Sequence, residues 1–153
     1  MSVEMKLREL GLELPIPPRP LGTYNPVSQA GSLLFLSGQI PIVNGELAFA
    51  GRVGAELTVE MAQQAAILAT LNVLAHIRAH LDGFDRLEEI VRVEGHISST
   101  DGFHGQVEIM NFSSNLLVAV LGERAGHART VFSVNQLPEN AALMLVVIAR
   151  IRA

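Results

Sequence analysis

The apolar positions fall into short strand-like runs separated by two long helical stretches. Val3 to Leu10 has the spacing of a short helix, stopped by Gly11 and then by the cluster Pro15-Ile16-Pro17-Pro18-Arg19-Pro20, which must run extended. Leu33 to Leu36 is a compact apolar strand that ends at Ser37-Gly38-Gln39-Ile40-Pro41. Asn44-Gly45 is the strongest turn signal in the chain and predicts a hairpin into Glu46 to Phe49. Thr58 is placed to cap a long helix reaching Leu81, with Met61, Ala65, Leu68 and Ala75 on its inner stripe, Leu71 at the edge, and Asp82-Gly83 as the stop. Ile90 to Ser99 alternates as a strand: Val91, Val93, Gly95 and Ile97 share one face, and Arg92, Glu94, His96 and Ser98 the other. A second helix follows from about Gln106 to Leu121, halted by Gly122.

Two strands close the pattern. Thr130 to Val134 is the first, Leu137-Pro138 makes a turn, and Leu143 to Ala149 is the second. Both faces of that last strand are apolar, so it is central in a sheet or covered by another subunit. The order strand, strand, helix, strand, helix, strand, strand predicts an α+β fold, with two helices packed on one face of a mixed sheet. The other sheet face then needs a cover that no further element supplies. No repeat or break in composition marks a second domain, so residues 21–153 read as one domain preceded by a short helix and proline-rich lead-in over residues 1–20.

Composition sharpens this. Apolar residues make up 49% of the 153 positions and charged residues only 17%, with a mean hydropathy of +0.35. The longest apolar run, Ala141 to Ala149, falls well short of the ~20 residues a spanning helix needs. The excess apolar surface therefore predicts an obligate oligomer and no membrane association. The N-terminal stretch lacks a signal-peptide core, which predicts a cytoplasmic protein. There is no cysteine, so disulfides, thiol nucleophiles and cysteine-based zinc sites are excluded. Lys6 is the only lysine and lies in the N-terminal stretch, which argues against Schiff-base cofactors. A net charge of −4, one Tyr, six Phe and no Trp make nucleic acid a poor partner.

Candidate chemistry centres on Arg129. It opens the Thr130 strand after Gly126-His127-Ala128, close to two apolar strands. A guanidinium there is costly unless an anion meets it, and its planar fork grips a carboxylate through two parallel hydrogen bonds. A small-carboxylate pocket at a strand end is one reading; pairing with a structural Asp or Glu, or simple exposure, is the other. His127, two residues away, is a candidate for the same cleft. His76 and His80, four apart on the long helix, share a face but have no third ligand at a recognisable spacing, so they read as a helix-surface pair rather than a metal site. His96 and His104 read as structural or exposed. No serine-hydrolase elbow and no phosphate loop occurs. Glu88-Glu89 is an adjacent pair and reads as solvated rather than as a catalytic dyad.

Taken together, Gly22-Thr23-Tyr24, Leu36-Ser37-Gly38-Gln39-Ile40-Pro41, the helix opening at Thr58, Asn111, and Ala128-Arg129-Thr130 followed by Leu137-Pro138 resemble the RidA/YjgF family, also called L-PSP or chorismate-mutase-like, from about Leu21 to Ile151. His127 and the length resemble a longer branch of it. The resemblance implies a homotrimer with three clefts between subunits, each lined by two chains. It also implies cofactor-free hydrolysis of 2-imino acids, or their enamine tautomers, to 2-oxo acids and ammonia. Arg129 matches the arginine that binds the substrate carboxylate, and Tyr24, Ser37, Gly38, Asn111 and Val131 match positions beside the ligand. One position departs. Met144 falls where competent relatives carry a glutamate that positions or activates water, and a thioether cannot take a proton at neutral pH. Losing a general base costs a factor of about 10² to 10⁴. Glu139 and His127 are the candidate substitutes. The leading expectation is a RidA-like protein that binds small 2-imino or 2-oxo carboxylates and hydrolyses imines; the alternative is a non-catalytic metabolite-binding or interaction module. Ribonuclease activity, attached to the family by name, is disfavoured by the acidity.

Overall fold

A computed structural model describes residues 1–153. Its main sheet has five strands: β1 (Val27–Ala30), β2 (Leu33–Leu36), β5 (Leu87–Ser98), β6 (Ala128–Val134) and β7 (Leu143–Ile151), in the order β1-β2-β7-β5-β6. β3 (Ile42–Val43) and β4 (Glu46–Leu47) form a separate two-stranded sheet. The helices are α1 (Val3–Glu9), α2 (Val59–Leu81) and α3 (Gln106–Leu121). All neighbours in the main sheet are antiparallel except β5 and β6, which are parallel and joined through α3. The α+β architecture with a mixed sheet agrees with the expectation: α2 and α3 pack on the sheet, and the third helix, α1, packs against α3. α1 buries Val3 and Leu7 in the same core as the rest of the chain.

Local chemistry accounts for the helix ends. Ser2 and Thr58 accept hydrogen bonds from the amides of Met5 (3.1 Å) and Met61 (3.2 Å), each satisfying one orphan donor of a first turn. Asp82 closes α2 in the left-handed region at φ 55°. The alanines at 62, 65, 66 and 69 are fully buried and let α3 approach closely enough for Ser113 Oγ to donate to the Ala66 carbonyl at 3.3 Å.

Four expectations need correction. The Asn44-Gly45 turn forms, with φ of 52° and 80°, but its return strand stops at Leu47 and never joins the main sheet. The place expected for Glu46 to Phe49 is taken by β1, which the hydrophobic pattern did not reveal, paired to β2 across Gly31-Ser32. On α2, Met61 is exposed and Leu68 only half-buried, because the helix is covered over a broad face from Ala62 to Ile77 instead of along a narrow stripe. On β5, Ile90 rather than Val91 enters the core. Register shifts between Leu87 and Glu89 and between Ile90 and Arg92 insert extra residues, so the alternation changes phase at Val91.

β7 is central, as its two apolar faces required. Leu143, Leu145, Val147, Ala149 and Ile151 are buried under the helices. Met144, Val146 and Ile148 are only half-buried on the other face. Phe35 and Phe132 add exposed rings to that second face, and no helix of the chain covers it.

Candidate functional site

The expected site residues separate into two clusters on different parts of the chain. The first surrounds Arg129, the second residue of β6. Arg129 pairs in register with Val93, a core residue, so its side chain leaves the edge of the sheet on the helix side. There one terminal nitrogen donates to Asn111 Oδ1 and to Ser114 Oγ, both at 3.0 Å and both on α3. Every ion pair in the chain involves other residues, so Arg129 has no carboxylate partner. Within this chain, the expected alternative of pairing with an Asp or Glu is not realised. Of the five N–H donors of the guanidinium, the three on Nε and the second terminal nitrogen meet no protein acceptor.

His127 completes this cluster. Its backbone takes φ 54°, a left-handed conformation uncommon for a residue with a side chain. Two contacts hold it there: its amide donates to the Ile90 carbonyl (2.9 Å), and Nδ1 donates to the Ala125 carbonyl (2.6 Å). A carbonyl can only accept, so Nδ1 carries the proton and, in the neutral ring, Nε2 offers a lone pair. Nε2 lies 2.9 Å from Ser114 Oγ, which therefore donates its hydroxyl proton to the ring while accepting from Arg129. Val131, two residues past Arg129, is half-buried against the core on the same side. Glu139 sits in the exposed turn Pro138–Asn140 and makes no hydrogen bond or ion pair with this cluster.

The second cluster gathers Tyr24, Ser37, Gly38 and Met144. Ser37 is fixed by donation from its hydroxyl to the Asn25 carbonyl (2.6 Å) and from its amide to the Pro26 carbonyl (2.9 Å). Gln39 exchanges two backbone hydrogen bonds with Leu145 (2.8 and 2.9 Å), laying this segment beside β7. Buried Asn72 donates to the carbonyls of Ile40 and Ile42, both at 3.0 Å, and ties the segment to α2. Gly38 leaves room here for the side chain of Met144. A Cβ on Gly38 would lie 2.5 Å from Met144 Sδ, so the thioether lies directly across the glycine. Tyr24 is half-exposed and accepts from the Leu21 amide at 3.2 Å, beside a narrow crevice lined by Pro18, Pro20, Gly38 and His76.

Met144 stands opposite His96 in the β5–β7 register, on the uncovered face of the sheet. Arg129 lies on the helix side, and β5 runs between β6 and β7. Within one chain the two clusters therefore cannot surround one small ligand.

Of the remaining histidines, three make contacts within the chain and His104 is exposed. His76 is buried rather than on the helix surface, against the proline-rich lead-in; burial lowers its pKa from 6.5, partly opposed by its hydrogen bond with the Pro18 backbone. His80 bonds Gln29 Oε1 at 3.0 Å on the surface. His96 bonds Glu94 (2.9 Å) and stacks on Phe132, with ring centroids 5.3 Å apart. That hydrogen bond is the main cause holding the Glu94 carboxyl below its usual range; desolvation opposes it, and weaker attractions to His96 and Arg92 add to the lowering.

The chain matches the model of the family described as YjgF/chorismate mutase-like, to which an endoribonuclease label is provisionally attached, over residues 4–151. It belongs to the YjgF/chorismate-mutase-like family. Among relatives, it is 34% identical over 142 residues to Protein TCP17 of Trypanosoma cruzi, covering 92% of this chain and 89% of that one. The crystal structure of Atu1372 from Agrobacterium tumefaciens, of unknown function, superposes with a TM-score of 0.92 at 35% identity, over 98% of this chain and 92% of that one. A structure from Shewanella oneidensis, provisionally called an endoribonuclease, gives a TM-score of 0.94 at 32% identity, over 99% and 100% of the two chains.

As a YjgF/chorismate-mutase-like chain, the protein presents an arginine cluster at one sheet edge and a Ser-Gly-Gln segment on the other side of the sheet. One member was missed by the sequence reading. Ser114 joins Arg129 to His127, yet it lies 15 residues from the first and 13 from the second, in a helix whose spacing signals only packing. Its one sequence trace is a polar residue on α3 one turn past Asn111, the i,i+3 spacing that shares a helix face.

Proposed function

We propose that this protein binds small 2-imino or 2-oxo carboxylates through Arg129, in clefts between the subunits of a homotrimer, and hydrolyses the imines to 2-oxo acids and ammonia. The observation that carries the reading is the guanidinium of Arg129. One nitrogen is committed to Asn111 and Ser114, while Nε and the second terminal nitrogen have no partner within the chain and retain the parallel pair of donors that suits a carboxylate. The separation of the two clusters supports completion of each cleft by a second copy, with Arg129 and Asn111 from one chain and Tyr24, Ser37 and Gly38 from the other. The uncovered apolar face around Phe35, Phe132, Val146 and Ile148 supports the same assembly. Binding orients the imine for attack by water and neutralises its carboxylate; no cofactor enters the reaction.

A second reading is favoured by Met144, which offers no base across Gly38. In that reading the pocket binds the carboxylate without turning it over. Ammonia release from 2-iminopropanoate generated in situ separates the two. Acceleration by the wild type that is lost in Arg129→Ala supports the enzyme. No acceleration by the wild type, with a gain in Met144→Glu, supports the binding module.

A further inference from the structure

We propose that residues 19–25, which carry Tyr24, form a strap that His76 fastens beside the Gly38-Gln39-Ile40 segment in neutral solution and releases in weak acid. The strap belongs to the second cluster, with Tyr24, Ser37 and Gly38, and is independent of what Arg129 binds.

Hardly any backbone bonding holds this stretch. Pro15, Pro17, Pro18 and Pro20 have no N–H to give a ladder. From Glu13 to Tyr24 the only backbone–backbone hydrogen bond is a local one, from the Tyr24 amide to the Gly22 carbonyl at 3.1 Å. Side chains and the loop beyond β2 therefore hold its two ends. At one end His76, on α2, hydrogen-bonds the Pro18 backbone. Proline offers only a carbonyl there, so the imidazole donates. At the other end Ser37 donates from its hydroxyl to the Asn25 carbonyl (2.6 Å) and from its amide to the Pro26 carbonyl (2.9 Å). Every residue between, from Arg19 to Asn25, is exposed. Pro18, Pro20, Tyr24, Gly38, Ile40 and His76 line one crevice.

Of the two fastenings only His76 titrates near neutrality. The residue is 5% exposed, so with the strap in place an imidazolium would be largely cut off from water, and nothing nearby offsets its charge. On α2, Arg78 pairs with Glu4 (3.8 Å) and His80 bonds Gln29 (3.0 Å). Along the crevice the other titratable groups are Arg19, a cation, and Tyr24, neutral in this range. Glu13, on the lead-in, is exposed. β1 and the Ser37 to Val43 segment carry no charged residue. Of the elements packed on the rest of α2, α3 has only Glu108, in its first turn, and β7 only Arg150, which pairs with Glu88 and Glu89.

Burial accordingly lowers the pKa of the fastened imidazole from 6.5, partly opposed by the Pro18 bond. Release lets water reach the ring and restores the ordinary value. The closed form thus binds the proton less well than the open form, and acid draws the equilibrium open. Closure is complete above pH 6.5 and weakens below it. Between pH 7.5 and 5.5 protonation of the open form raises the opening constant by at most about tenfold.

The test uses the full chain. Cysteine is absent, so Ile40→Cys places a single thiol in the crevice at a position 4% exposed. Its reaction with a pyridyl disulfide, which proceeds in weak acid, is measured at pH 7.5 and 5.5 and divided by that of Ser28→Cys, an exposed site on β1. The strap predicts that this ratio rises about two- to tenfold in acid. Adding His76→Gln should hold the rise below about 1.5-fold, because glutamine keeps an N–H for Pro18 but does not titrate. Ala69→Cys, buried within α2, should show no rise, since the opening is local. A flat ratio with His76 present, an equal rise with His76→Gln, or an equal rise at Ala69→Cys each overturns the strap. Should Ile40→Cys fail to fold, Tyr24 decides the question, being the only tyrosine in a chain without Trp. Its fluorescence anisotropy should fall in acid in the wild type and hold in His76→Gln, and the same fall in both proteins, or in neither, overturns the proposal.

Discussion

Replacing Arg129 by lysine tests the site more sharply than alanine does, because it keeps the charge and removes the fork. Asn111 Oδ1 and Ser114 Oγ take both hydrogens of one terminal nitrogen, so three donors remain for a ligand, two of them parallel. A lysine ammonium has three donors. If two of them stay with Asn111 and Ser114, one is left, and the parallel pair becomes a single bond. A hydrogen bond to a charged group contributes about 1.5–3 kcal/mol, so Arg129→Lys weakens 2-oxobutanoate binding about 10- to 150-fold. Arg129→Ala loses the charge as well and weakens it further. Calorimetric titration at fixed ionic strength, with thermal melts to confirm folding, gives both numbers. A folded Arg129→Lys protein that binds within twofold of wild type refutes the argument, because the unpaired fork would then have no part in recognition.

Three other outcomes follow from the packing. A Cβ on Gly95 would lie 2.5 Å from Met110 Sδ and 2.7 Å from its Cε. Gly95→Ala therefore costs ~1–3 kcal/mol in urea unfolding, and combination with Met110→Ala falls short of the sum of the single effects by about 0.5–3 kcal/mol; strict additivity would contradict the contact. Asn72→Ala removes the side-chain donor to the Ile42 carbonyl and one of two donors to the Ile40 carbonyl, which keeps the Ile42 amide, a cost of ~1–3 kcal/mol, and hydrogen exchange at the Gln39 amide should quicken as the Ser37–Pro41 segment loosens. Burial lowers the His76 pKa in the folded chain, so the unfolded chain binds the extra proton first as pH falls. His76 thus favours the folded state fully above pH 6.5 and progressively less from there down to its depressed folded value. Urea midpoints at pH 7.5 and 5.5 should show a decline that His76→Gln reduces; an equal decline in both proteins would show that the imidazole is not its source.

Much of the architecture was legible because it depends on local signals. Thr58, Asp82 and Gly122 stop and start helices through backbone chemistry that any neighbourhood preserves. Doubly apolar β7 had to be central. β1 was hidden because Val27-Ser28-Gln29-Ala30 is an exposed edge with little hydrophobic pattern, and Gly31-Ser32 was its one clue. The phase change at Val91 is a bulge, which alternation alone cannot reveal. At the site, Arg129 stood out through its cost beside apolar strands. Ser114 did not, since its meaning comes from the crossover that lays α3 beside β6. His127 was a name in a motif until its tautomer and partner were fixed by Ala125 and Ser114.

The strand order has a bearing on synthesis as well. β7 is the last of the five strands to leave the ribosome, yet it is the one that joins β1–β2 to β5–β6. Until it emerges, the hairpin and the parallel pair have no strand between them, and Leu34, Val93 and Ile97 lack their common neighbour. Nascent chains halted before Leu143 should therefore be protease-sensitive and chaperone-bound, however complete their helices. The same strand carries Met144, so the sheet and the contact of Met144 with Gly38 are completed in a single late event.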